Sequence, residues 1–152
     1  MIKYILTILI AITTGCIFYL SADDNSQPKL VKTEYFWLSG PSKSVDKLQR
    51  LYDIDGIAEL VAQTINMPVV KGKITILNGW EFFDTCPRNA EACHIGNDIY
   101  LQSGYNISNV LGLTLAHEMA HNYTHNEYEA QEIACSVFPE YSACDNTLPE
   151  IK

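Results

Sequence analysis

The stretch LGLTLAHEMAHNYTHNEYEAQEIA, residues 111–134, decides how this chain is read. Within it, His117-Glu118-Met119-Ala120-His121 sets two histidines four positions apart. On a helix those positions share a face one turn apart, so both imidazoles can grip one metal ion. Glu118 then projects beside the ion, where a carboxylate can take a proton from water. Residues 107–116 are apolar except at Ser108, Asn109 and Thr114, the pattern of a helix buried on most faces. Two histidines and a glutamate at the end of such a helix need a purpose, because unpaired polar groups are costly there. The expectation is a zinc hydrolase site, usually a peptidase: one Zn2+ per chain, His117 and His121 as ligands, Glu118 as general base.

A catalytic zinc takes three protein ligands and leaves one position for water. His125 continues the helical stripe, yet on an unbroken helix it would lie about 12 Å along the axis from His117. Zinc–nitrogen bonds of about 2 Å cannot span that gap, so the third ligand must follow a turn. Thr124-His125-Asn126 is the predicted break, Asn126 being able to take the left-handed conformation that ends a helix. Glu127, Glu129 and Glu132 on the next helix are the candidates. His94, His125, Tyr123 and Tyr128 are candidate donors to a developing oxyanion.

The chain of 152 residues is enough for one domain. Residues 2–20 carry one charge, Lys3, and are followed by Asp23 and Asp24. A basic start, an apolar run and an acidic exit describe a signal peptide or membrane anchor over 1–22, with the domain outside the cytoplasm. Residues 23–33 read as a polar tether and 34–152 as the domain. Four of the five cysteines, Cys86, Cys93, Cys135 and Cys144, lie in the domain. An even set in an exported domain reads as two disulfides, and pairing near neighbours, Cys86 with Cys93 and Cys135 with Cys144, demands least of the fold. Reduced, Cys93 would be a further zinc ligand candidate; oxidised, it is excluded. All 18 acidic residues but only 9 of the 10 Lys and Arg fall in 23–152, and no basic cluster stands out in the sequence. That balance argues against nucleic acid as a partner. Nothing in the sequence fixes the oligomeric state.

The patterning predicts a short strand at 35–38, helices near 44–52 and 57–65, a strand at 69–77, a loop over 80–96 and a strand at 99–102. The motif helix and a second helix, about 127–138 and stopped by Pro139, complete an α+β plan. A short mixed sheet would pack on the buried motif helix.

The segment resembles the compact gluzincins of the ImmA/IrrE type, in which the first motif is followed by a helix reading roughly Glu-x-Glu-Ala-Asn-x-Phe-Ala. Here Glu127-Tyr128-Glu129-Ala130-Gln131-Glu132-Ile133-Ala134 occupies that place, with Gln131 where Asn is usual. The resemblance implies a zincin-like metallopeptidase fold and Glu129 as the third zinc ligand. It also implies that Ile99, Tyr100 and Leu101 lie on an edge strand receiving an extended peptide by strand addition. The expected function is an exported or membrane-anchored zinc metallopeptidase acting on a peptide or protein substrate. The competing readings are an amide hydrolase acting on cell-wall peptides and a non-catalytic metal-binding module.

Overall fold

The computed structural model describes residues 27–103 and 111–144. The expected signal or anchor segment, 1–22, lies outside them. Strand β1 (Pro28–Lys32) turns back into β2 (Phe36–Pro41). Helices α1 (Ser42–Leu51) and α2 (Ile54–Thr64) lead to β3 (Gly72–Leu77). Then come α3 (Gly79–Thr85), β4 (Ala92–Ile95) and β5 (Asp98–Gln102). Beyond 104–110 lie α4 (Leu111–Ala120), α5 (Glu127–Val137) and a 3-10 turn at Ser142–Cys144. The order in the sheet is β1-β2-β3-β5-β4. β2, β3 and β5 run parallel, while β1 and β4 are antiparallel at the two edges. The α+β expectation with a mixed sheet holds.

Alternation along the strands separates two faces. Phe36, Leu38, Ile74, Ile76, Ile99 and Leu101 point to one side and are buried there against α1, α2, α4 and α5. Val45 and Leu48 of α1, and Ile57, Ala58 and Val61 of α2, fill the same core. The motif helix α4 runs through it: Leu111, Leu113, Leu115, Ala116, Met119 and Ala120 are all buried, as its all-round apolar sequence predicts. The other face is covered only in part, by Phe82 of α3 packing on Leu77 and Tyr100 beside the Cys86–Cys93 disulfide. Cys135 and Cys144 form the second bond and tie α5 to the 3-10 turn. Both pairings are the local ones expected.

Several expectations are corrected. Residues 28–32, read as tether, are the edge strand β1. The loop expected over 80–96 contains α3 and β4, both too short to carry a legible period. α1 begins at Ser42, two residues before the expected start near 44. Most consequential, Ile99, Tyr100 and Leu101 do not lie at an edge. β5 is bonded to β3 on one side and β4 on the other, so its backbone groups are already spent. Among the described residues, the edge on that side of the sheet belongs to β4.

Gly72 shows how tightly the parallel strands enter the sheet. A Cβ there would stand 1.8 Å from the carbonyl oxygen of Asn97, in the turn between β4 and β5. Backbone cannot yield as a flexible side chain can, so Gly72→Ala is expected to cost at least about 2 kcal/mol in urea unfolding. An unchanged midpoint would show that the β4–β5 turn does not press on β3.

Candidate metal centre

α4 ends by tightening. The His121 amide still donates to the His117 carbonyl at 3.3 Å, but Asn122 and Tyr123 donate three residues back, to Met119 and Ala120. His121 therefore keeps its helical place over His117 while the chain leaves the axis. Asn126 does not take the left-handed conformation; it is extended and caps α5, its side chain accepting from the amides of Tyr128 and Glu129. The break falls at 124–126 as expected, with Asn126 opening the second helix rather than closing the first.

This turn makes Glu127 the first residue of α5 and directs its carboxylate back to the histidines. Glu127 Oε2 lies 3.1 Å from His117 Nε2 and 3.5 Å from His121 Nε2, and the two Nε2 atoms are 3.2 Å apart. A tetrahedral ion with bonds near 2.05 Å requires ligand atoms about 3.3 Å apart, so the spacing suits one small divalent cation. Among the described residues, His117, His121 and Glu127 form the one group able to hold a metal ion. Glu129, the ligand implied by resemblance, is turned elsewhere: its Oε2 accepts from the Thr124 hydroxyl at 2.5 Å. With Asn126 as the cap, Glu129 sits two residues further round the first turn and braces the connector instead. Glu132 is not in the group either.

The protons make the case for a cation. His121 Nδ1 is 3.1 Å from the Thr124 carbonyl, which can only accept, so Nδ1 carries the hydrogen and Nε2 a lone pair. Gln131 donates through Nε2 to Cys135 Sγ at 3.2 Å, which turns Oε1 toward His117 Nδ1 at 3.1 Å. His117 is thus also protonated on Nδ1 and bare on Nε2. With both imidazoles neutral, three acceptor atoms then converge on one point. Burial and the neighbouring His121 push the His117 pKa below the usual imidazole value, against the pull of Glu127 and Gln131. A proton is a poor occupant of this site; a metal ion matches it. Partners on the far ring nitrogens are the usual way of aiming metal-binding histidines.

Glu118 is the sole buried charged side chain among the described residues, 8% exposed. It accepts no hydrogen bond among them, and burial drives its pKa up to about 7, with His121 lowering it and Glu127 raising it. It lines a cleft of about 520 Å³ together with His117, His121, Glu127, His94 and His125. β4, the free edge strand, forms part of the opposite wall. His94 projects from β4, its Nε2 2.9 Å from Asn122 Oδ1 and its ring 6.0 Å from that of His121. The other two candidate donors are placed elsewhere. Tyr123 is committed to the backbone before β3, donating to the Pro68 carbonyl and accepting from the Val70 amide. Tyr128 is exposed beside Glu132. Cys93, bonded to Cys86, is excluded as a ligand.

Sequence reading missed β4 as the wall of the cleft and the aiming role of Gln131. The signal for Glu127 was the interval after His121, long enough for one turn and no more.

Glu127→Gln is expected to weaken divalent-metal binding more than about a hundredfold, and Gln131→Leu about tenfold. Glu129→Gln should leave it unchanged; isothermal titration showing the reverse order would return the third ligand to Glu129. A second expectation concerns pH. In the metal-free protein Glu118 keeps its proton up to about pH 7, whereas the unfolded chain releases it near 4.5. Between those values the folded state holds more protons, so this residue makes stability fall as pH rises, with the full cost present above pH 7. Metal-free Glu118→Gln should exceed the parent by roughly 2–3 kcal/mol at alkaline pH and match it in acid. Parallel pH profiles would contradict the burial of this carboxylate. Scans of the chain against protein-family models, curated proteins and solved structures returned no match.

Proposed function

We infer that the protein is a zinc-dependent metallopeptidase that binds an extended peptide in the cleft between β4 and the α4–α5 turn. The observation that carries the reading is the convergence of His117, His121 and Glu127 beside Glu118, which is buried and accepts no hydrogen bond among the described residues, on one cleft wall. Two nitrogens and one carboxylate oxygen are the donor set of hydrolytic zinc. Three ligands facing an open cleft, rather than four closing a shell, favour catalysis over a structural ion. When bound, zinc supplies Lewis acidity, lowering the pKa of water to about 7 and polarising a carbonyl.

The chain's own residues do the rest. Glu118 is placed to accept the proton of the attacking water and pass it to the leaving amine, and a neighbouring divalent cation favours its ionised form. Gln131 and the Thr124 carbonyl keep both imidazoles aimed through the cycle. The unpaired edge of β4 offers backbone donors and acceptors along which a peptide can align. His94 and His125 stand on the same cleft for a developing negative charge. The two disulfides suit an oxidising compartment, in keeping with export. Among the described residues no helix is long and apolar enough to cross a membrane, so anchoring would fall to the segment before residue 23.

Glu118→Gln should retain one zinc per chain and lose at least about a hundredfold in kcat/KM on an unstructured polypeptide. Full activity in a zinc-loaded Glu118→Gln protein would remove the hydrolase reading.

A further inference from the structure

The register across the sheet sets Lys32 beside Trp37, Trp37 beside Lys73, and Lys73 beside Asp98. These side chains occupy the face turned away from the core, because Leu38, Ile74 and Ile99, one position along, are fully buried on the other. α3 covers this outer face near Leu77 and Tyr100. Among the described residues the β1–β2 half has no such cover, since α1 reaches these strands from the core side through Val45 and Leu48. Lys71 joins Lys32, Trp37 and Lys73 along a shallow groove of about 430 Å³, with Glu34 and Asp98 at its margin. Lys32 Nζ stands 5.5 Å from the centre of the Trp37 ring. Asp98 is occupied by the Lys73 amide at 3.0 Å. Trp37 is 44% exposed and Leu30, on the same face, 63%.

We propose that this open sheet face is a membrane-contact surface, lying on a bilayer that displays anionic headgroups. Three of the nine basic residues in 23–152 collect here in a chain of net charge −8, which gives an anionic layer a local point of attraction on an otherwise acidic chain. A tryptophan flanked by two lysines is interfacial chemistry: the ring sits at headgroup depth and the ammonium groups meet phosphates. The groove is broad and contains no buried polar side chain, Glu118 being the only one among the described residues, which suits a surface better than an enclosed small ligand. Residues 4–20 carry no charge, and only 21–27 separate them from β1, a reach of at most about 25 Å. A bilayer holding that apolar run would have this face within range. His94 stands on the core side of the sheet, in register with Ile99, so docking by the outer face leaves the cleft open to solvent. The surface is independent of the metal site, and either assignment can fail alone.

The test uses the full chain carrying Trp80→Phe, which leaves Trp37 as its single tryptophan. Its emission is followed on vesicles of phosphatidylglycerol and phosphatidylcholine, and of phosphatidylcholine alone, each with bromines near the headgroups. Quenching of at least about threefold on the anionic vesicles is expected, with little on the neutral ones. Each lysine should contribute about fivefold to the contact equilibrium. The Lys32→Gln, Lys71→Gln, Lys73→Gln triple variant should therefore lose the quenching, as should the parent in molar salt. Equal quenching on neutral vesicles, persistence in high salt, or none on anionic vesicles would overturn the proposal. So would a soluble polyanion such as heparin shifting Trp37 emission while anionic vesicles leave it unchanged.

Discussion

With both imidazoles neutral and protonated on Nδ1, two ring nitrogens and a carboxylate oxygen present lone pairs within about 3.5 Å of one another and repel unless a cation lies among them. The surrounding structure is arranged to maintain this repulsion rather than relieve it. Thr124 fixes the proton of His121 on the far side of its ring, and Gln131 does the same for His117. Neither imidazole can turn its N–H inward without abandoning a partner. The cost of holding the donors together falls due at folding, and a metal ion recovers it on binding.

The fold supplies the rigidity that such a site requires. α4 is buried along nearly its whole length, so His117, and His121 just past its end, are carried by an element packed on most sides. α5 is held by the Cys135–Cys144 bond, and the same sulfur that makes this bond accepts from Gln131, which orients His117. One covalent tie thus lies two contacts from a residue that could hold a metal ion. On the other cleft wall, the Cys86–Cys93 bond fixes β4 to α3. Both walls are cross-linked independently, as suits a small domain whose core is limited by its size.

Much of this was legible in the residues. The paired histidines, the buried character of α4, the break before Glu127 and the local disulfides all follow from short-range chemistry: helical period, capping and the proximity of cysteines. Which carboxylate approaches the histidines was not, although Glu127 stood among the candidates. Three glutamates on one helix differ only in where the preceding turn aims them, and resemblance favoured Glu129. The structure instead spends Glu129 on Thr124 and points Glu127 at the histidines. The same holds for the strands. Ile99, Tyr100 and Leu101 make a convincing β pattern, but whether a strand lies at an edge is a property of its neighbours.

The sequence by itself determined which atoms can coordinate, because residue type and spacing four apart dictate that two imidazoles meet on one helical face. It also determined the charge balance, and it favoured the local cysteine pairs that the structure shows. Only the tertiary structure decided which carboxylate completes the cluster, which strand borders the cleft, and that Lys32, Trp37 and Lys73 form one row across three strands. Those outcomes depend on the register and order of segments far apart in the chain. Each is set by the summed packing of the whole core, and no local pattern encodes it.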